Sequence, residues 1–419
     1  MTELPKATPK AYSYSEISSE MGTPIITTRG PQVRVVASSS TWIEGEALRQ
    51  LDQTASLPGM KLAVGMPDLH PGKGNPVGAA FLSKGLFYPA LVGSDIGCGM
   101  SLWQTDLPVK KARVEKLAAR LEGLDTPWEG DVAAWLAERN LPSCEFDSSL
   151  GTPGFGNHFA EVQAVHHIQD AERFAATGLD AESLCVLVHT GSRGLGEAIL
   201  RRHLSAHGPS GVPEGSEAAS VYLTAHDQAV RWAEANRDLV AHRVLTAIGG
   251  QGRRLLDVCH NGVTASCGCW LHRKGAAPSD KGLVVIPGSR GALSYLVDPI
   301  ADRDEALWSL AHGAGRKMAR HEAKGKLRGR YRREDLDRNA YGGRIVCGNE
   351  QLLWEEAPEA YKDVDQVVED LADAGLLTIV AAFKPLVTFK ASSQQSAGRE
   401  KSAAHRDRRE HRKLKEQSR

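Results

Sequence analysis

Val92-Gly-Ser-Asp95-Ile-Gly-Cys98-Gly-Met100 decides how this chain is read. An apolar run, Tyr88 to Val92, feeds a glycine-lined turn that carries a carboxylate and a thiol three residues apart. The glycines allow a sharp bend and a close approach of backbone to a ligand. Asp95 and Cys98 together offer one hard oxygen and one soft sulfur, a pair able to share or bridge metal ions. A buried Cys in such a turn is more often a small apolar residue. What favours the metal reading is that histidines recur in similar turns far along the chain.

The same pattern of an apolar run entering a glycine turn occurs twice more. Leu184-Cys-Val-Leu-Val188 runs into His189-Thr-Gly-Ser-Arg-Gly194, and Leu283-Val-Val-Ile286 runs into Pro287-Gly-Ser-Arg-Gly291. Both read as buried strands with polar groups at their ends, where sheets place ligands. Helical segments alternate with them. Val109 to Gly123 is amphipathic, with Val114, Leu117, Ala118 and Leu121 on one face. Ala225 to Ile248 predicts the longest helix, stopped by Gly249-Gly250, and Gly208 to Ser216 is a loop by composition. Val364 to Ala374 predicts a helix and Leu377 to Phe383 a strand. The fold class expected is therefore mixed α/β (α+β): one large domain over 1–391, opened by a polar lead-in (1–30), with a metal centre at strand ends. A basic, disordered tail is expected over 392–419, where apolar residues run out.

Composition narrows the classes. No window of eighteen apolar residues exists, so no membrane helix is expected. The polar start lacks a basic-then-apolar leader pattern, which predicts a cytoplasmic protein. Seven cysteines, an odd number, argue for reduced thiols rather than a disulfide framework. Cys259-His260 with Cys267 and Cys269 resembles half a zinc knuckle, without a second Cys-x-x-Cys pair at finger spacing. Charge balances overall, 51 basic against 51 acidic residues, yet Arg316 to Arg333 holds nine Lys/Arg and a single acid, Glu322. Such a run suits a polyanion, or else a solvated helix face.

Five histidines sit in polar or glycine-rich turns: His70, His158, His189, His260 and His312. One alone is usually a hydrogen-bonded structural residue; with Asp95 and Cys98 they favour a metal centre. Gly191-Ser-Arg-Gly194, Gly288-Ser-Arg-Gly291 and His312-Gly-Ala-Gly315-Arg316 offer amides, hydroxyls and guanidinium groups to anions, the last at an expected helix start. There is no P-loop and no Lys-x-Asp-Gly ligase nucleophile. His272-Arg-Lys274 and His411-Arg-Lys413 mimic a phospholipase D signature that the following residues do not continue.

The ordered blocks MPDLHPGKG, VGSDIGCGM, GFGNHFAEVQ, HTGSRGLG, CHNGV, HRKGAAP, VIPGSRGALSYLV, AHGAGRKMAR and APEAYKDVDQVV resemble the RtcB family of GTP-dependent RNA ligases over roughly residues 60 to 390. The resemblance implies that Asp95, Cys98, His158, His189 and His260 hold two Mn²⁺ ions, and that His312 attacks the α-phosphorus of GTP to form a GMP–histidine. It implies a nucleotide pocket of Asn157, Phe159, Glu161, Asn261, Pro287, Ser289, Ser294, Gly313, Ala314, Gly315, Arg316, Tyr361 and Lys390. GMP would pass to an RNA 3′-phosphate, and the 5′-hydroxyl of a second RNA end would displace it. A 2′,3′-cyclic phosphate would be opened first at the same centre. Arg290 stands where many relatives carry Met, Trp308-Ser-Leu-Ala precedes His312, and Ala391 with a long tail follows Lys390. These departures resemble the shorter bacterial branch associated with release factor H, which implies RNA repair, with ribosomal RNA as a candidate substrate, rather than tRNA splicing. The partners expected are RNA and GTP, without a membrane, and a monomer holds every ligand. The alternative is a binuclear cyclic phosphodiesterase or phosphatase without nucleotidyl transfer.

Overall fold

His260 is the one residue between two strands that belong to different sheets, and the architecture follows from that junction. The computed structural model describes residues 25–30, 32–301 and 303–391. Residues 1–24 of the expected lead-in and the expected tail lie outside the described residues.

An eight-stranded sheet runs Gly252–Cys259, Gly99–Pro108, Ser183–Thr190, Phe159–Ile168, Leu377–Phe389, Ser294–Pro299 and Val284–Pro287. Each neighbouring pair along this path is antiparallel, and Arg344–Val346 joins Leu377–Phe389 in parallel. A six-stranded sheet runs Ile25–Thr28, Val33–Ala37, Met60–His70, Val77–Ser83, Cys269–Lys274 and Asn261–Ser266. One core holds both sheets together: Val64, Met66, Ala80 and Leu271 of the smaller pack with Met100, Leu187, Leu296 and Phe383 of the larger. The other face of the larger sheet is covered by the helices Glu217–Ile248 and Val114–Leu121.

The strand Ser183–Thr190 shows why its apolar run is unbroken. Cys185 and Leu187 face the core between the sheets, whereas Leu184, Val186 and Val188 face the helices. A strand buried on both sides needs no polar alternation. The result is a mixed α/β domain, as the sequence predicts.

Several boundaries move. The long helix begins at Glu217, where the Ser216 side chain caps the Ala219 N–H, and ends at Gly249 in the left-handed region. The helix expected over 109–123 splits into a 3₁₀ turn, Val109–Lys111, and an α-helix, Val114–Leu121. The strand from Leu377 continues to Phe389 because a register shift between Pro385 and Val387 accommodates the proline. Pro89–Val92, within the apolar run before the Asp95–Cys98 turn, is one helical turn. The helix start expected at His312 is not there. His312 follows the strand Ser309–Ala311, and the next helix begins at Arg320. The glycines of that motif make a turn instead.

Candidate metal centre and nucleotide pocket

Strand register gathers the ligand-type residues at one end of the large sheet. Met100 pairs with His189, and His189 with Phe159, so the Asp95–Cys98 turn, His158 and His189 become neighbours. The His260 amide donates to the Cys98 carbonyl at 2.8 Å, bringing the sheet junction to the same place. The long helix locks these turns from behind. Arg237 donates to the carbonyls of Gly97 (2.7 Å) and Thr190 (3.0 Å) while pairing with Asp257 at 2.6 Å. Asn236 donates to the Gly191 carbonyl at 3.3 Å. A Cβ at Gly191 would come within 2.2 Å of an Asp95 carboxylate oxygen, so only glycine permits this contact.

Cys98 Sγ lies 3.3 Å from His158 Nε2 and 3.2 Å from His189 Nε2, and His158 Nε2 lies 2.9 Å from Asp95 Oδ2. Cys98, His158 and His189 offer donor atoms within 4.8 Å of one another, all buried. The His189 ring stands 5.2 Å from that of His260, and His260 stands 4.8 Å from His312. Burial pushes the Cys98 thiol well above its usual range, helped by the Asp95 charge, and holds His189 and His260 well below theirs. Burial alone would raise Asp95, yet the His158 ring outweighs it and keeps the carboxyl low. The neutral imidazoles of His189 and His260 near a carboxylate suit a cation. Among the described residues the knuckle-like cysteines form no such group, since Cys267 and Cys269 flank the hairpin tip.

His312 is held by a residue the sequence reading did not single out. Asp68 Oδ2 lies 2.7 Å from His312 Nδ1 and accepts the His312 backbone N–H at 3.3 Å. Asp68 lies on the strand Met60–His70, where register slips between Gly65 and His70. Lys362 fixes this irregular stretch from both sides: its Nζ donates to the carbonyls of Pro67 (2.8 Å) and Leu69 (2.7 Å). The Lys362 amide also donates to the Gly315 carbonyl at 2.9 Å, tying in the turn after His312. Gly315 has φ +71°, and a Cβ there would meet the Asp68 carbonyl oxygen at 2.2 Å.

A cavity of about 260 Å³ opens beside these groups. Asp95, Cys98, His189, His260 and His312 line it. So do Asn157, Phe159, Glu161, Asn261, Pro287 and Ser289, and the turn Gly313, Ala314, Gly315, Arg316 together with Tyr361 and Lys390. Two expected residues do not form its wall. His158 is buried within the cluster, and Ser294 stands behind Glu161, accepting from Gln163 Nε2 at 2.9 Å while the same Nε2 reaches Glu161 at 2.7 Å. Burial pushes Glu161 up to about 7, against the pull of Thr388, Gln163 and Lys390. Lys390 Nζ donates to the His158 carbonyl at 3.1 Å.

Glu356, Arg320 and Lys274 also line the cavity and were not anticipated. Glu356 is surrounded by Arg316 (3.1 Å), Lys390 (3.6 Å) and Arg320 (3.7 Å), and accepts from the Tyr361 hydroxyl. Burial would raise its pKa, but the three cations bring it down to about 2. Arg290 donates to the carbonyls of Glu356, Leu336 and Leu353 and so braces the same wall. Asp68, Glu356 and Lys362 do fall inside or beside matched sequence blocks, which is the only signal that marked them.

Buried Cys98, His158 and His189 beside Asp95, with a carboxylate-held histidine next to them on one cavity, form a group that could hold a metal ion. The family model "tRNA-splicing ligase RtcB" matches residues 50–140 and 138–391. The RNA-splicing ligase RtcB2 of Escherichia coli is 51% identical over 371 residues, covering 86% of this chain and 96% of that relative. The tRNA-splicing ligase RtcB of Archaeoglobus fulgidus is 32% identical, covering 83% and 92%, and the RNA-splicing ligase RtcB of Mycobacterium tuberculosis is 31% identical, covering 81% and 100%. This chain belongs to the RtcB family. Among the described residues, no helix is long and apolar enough to cross a membrane.

Proposed function

We propose that this protein is an RNA ligase that uses GTP and Mn²⁺ to join RNA 3′-phosphate or 2′,3′-cyclic phosphate ends to 5′-hydroxyl ends. The observation that carries the reading is the placement of His312. Its Nδ1 is taken by Asp68, which leaves Nε2 as the free nitrogen, and its ring abuts His260 at the edge of the metal-type cluster.

The cluster fits a metal on the chemistry of its donors: a thiol and two imidazole nitrogens converge with a carboxylate in a buried pocket. Asp95, Cys98, His158, His189 and His260 would hold the ions. Two bound Mn²⁺ would neutralise phosphate oxygens and polarise phosphorus during in-line displacement.

In the first step His312 Nε2 forms a bond to the α-phosphorus of GTP as pyrophosphate leaves. Asp68 keeps the ring in the tautomer whose Nε2 carries the lone pair, and stabilises the positive charge that develops. Next, an RNA 3′-phosphate oxygen attacks the same phosphorus and His312 departs, giving RNA(3′)pp(5′)G. Finally the 5′-hydroxyl attacks the RNA 3′-phosphorus, and GMP leaves. Glu161 suits the paired N1–H and N2–H donors of guanine, Phe159 and Tyr361 offer ring faces, and Arg316 and Lys390 supply charge. Asn157, Asn261, Pro287, Ser289 and Gly313–Gly315 would complete the pocket, with Ser294 orienting Glu161 through Gln163.

The catalytic unit proposed is 1–391, working as a monomer in the cytoplasm, and the exposed cations Lys317, Lys326, Arg328, Arg330 and Arg332 would contact the RNA backbone. The reading is tested by mixing an RNA ending in a 3′-phosphate with one beginning in a 5′-hydroxyl. Joined product that requires both GTP and Mn²⁺ is expected. Opening of a cyclic phosphate with no joined product at any GTP concentration would leave the hydrolase alternative.

A further inference from the structure

A second concave site lies at the opposite end of the large sheet from His312. Its walls carry Lys111, Arg113, Lys116 and Arg120 over a floor that includes Leu107, Leu184 and Ile248, with no acidic residue in the lining. Leu184 opens the strand that ends at the site's His189, and Leu107 closes the strand that starts beside Cys98. Five to eight strand residues separate the two sites, roughly 17–27 Å at about 3.3 Å per residue.

The four side chains are exposed, and Lys110 beside them is exposed too. None of the five forms an ion pair among the described residues, although the whole chain carries equal numbers of acids and bases. The one acid of the segment, Glu115, is already neutralised by Arg338 (2.9 Å) and Arg344 (3.4 Å). Arg120 donates to the Ile248 carbonyl at 2.6 Å and Arg113 to the Ala112 carbonyl at 3.3 Å, but no acid balances any of the five, and like charges gathered on one face are stabilised by a polyanion.

We propose that the Lys110–Arg120 face and its cavity form an exosite for the phosphodiester backbone of RNA, remote from the ends being joined. The proposal rests on the RNA ligase reading. An extended run of charge matches the regular phosphates of a strand. At about 3.4 Å per stacked nucleotide, the separation corresponds to roughly five to eight nucleotides. Short substrates would therefore engage only the catalytic pocket, and long ones both sites.

The test uses the full chain with Lys111→Glu/Lys116→Glu, and with Lys111→Ser/Lys116→Ser as a milder pair. Binding of a 30-nucleotide RNA is measured across salt concentrations without GTP, and KM for joining is measured with 30-nucleotide and 4-nucleotide fragments. The exosite predicts weaker binding and a higher KM, about tenfold, for the long RNA only. It also predicts that the slope of log affinity against log salt falls by about 1.4 when two single-strand contacts are lost. Equal effects on both lengths, or none on the long RNA, would overturn it. Unchanged RNA binding with loss of a polyglutamate probe would reassign the face to an acidic protein and also overturn it. Because RNA binding is read without GTP, failure of the exosite is distinguishable from failure of the ligase reading, which would instead abolish joining in the unmodified protein.

Discussion

Asp68 holds His312 twice, accepting its backbone N–H and partnering its ring Nδ1 through one carboxylate oxygen, across 244 residues of sequence. That pairing fixes which nitrogen of the ring faces the cavity. Asp68→Asn keeps the shape but can present an N–H to Nδ1 and favour the wrong tautomer. The rate of GMP attachment is expected to fall by about 10²–10⁴-fold, the range spanned by acid–base partners and triad carboxylates, with metal content unchanged. Single-turnover labelling beside a metal assay checks it; wild-type labelling would remove Asp68 from the mechanism.

Lys362 acts one step further out. Lys362→Met removes both hydrogen bonds to the carbonyls of Pro67 and Leu69 while retaining most of the aliphatic stem. We expect GMP attachment to slow roughly tenfold and stability to drop by about 1–3 kcal/mol, the cost of leaving buried carbonyls unpaired. Combining it with Asp68→Asn should add little to the rate loss, since both act through the same ring. Full additivity would mean that Lys362 works elsewhere.

On the ligase reading, Glu161, pushed up to about 7 by burial, should give GTP binding a pH dependence. The ionised carboxylate accepts two N–H groups, whereas the protonated acid offers a competing donor. GTP affinity should therefore be weaker below pH 7 and strengthen as pH rises through it. Glu161→Gln should bind GTP weakly at every pH and flatten that profile. Equilibrium binding of GTP between pH 6 and 8 decides this, and an unchanged profile in the variant would contradict it.

Arg237 tests the scaffold. It is buried, forks onto Asp257 and donates to two turn carbonyls. Arg237→Ala strands the largely buried Asp257 carboxylate and those carbonyls, and should cost about 3–5 kcal/mol in urea unfolding. A loss below about 1 kcal/mol would show that the helix does not clamp the ligand turns.

The sequence was most readable where burial imposes a pattern. The run Leu184–Val188 and its polar end at His189 reflect a strand covered on both faces, and the structure places it so. His158, His189, His260, Asp95 and Cys98 stood out because glycine turns are poor places for core histidines, and they do converge. Asp68, Lys362 and Glu356 carried no local sign. Their importance comes from contacts made across the fold, which periodicity and spacing do not encode. The turn after His312 differs from the expected helix start for a related reason: glycines next to a basic residue fit a helix start locally, but the approach of Gly315 to Asp68 demands a turn. Ser294 fell in a matched block yet reaches the pocket only through Gln163.

The most direct measurement is incubation of the purified protein with α-labelled GTP and Mn²⁺, followed by a denaturing gel. The account predicts a labelled band that survives alkali, is lost in acid as a phosphorus–nitrogen bond would be, and is absent from His312→Ala. Undiminished labelling of the folded His312→Ala protein, or no label on metal-loaded wild-type protein, would contradict it.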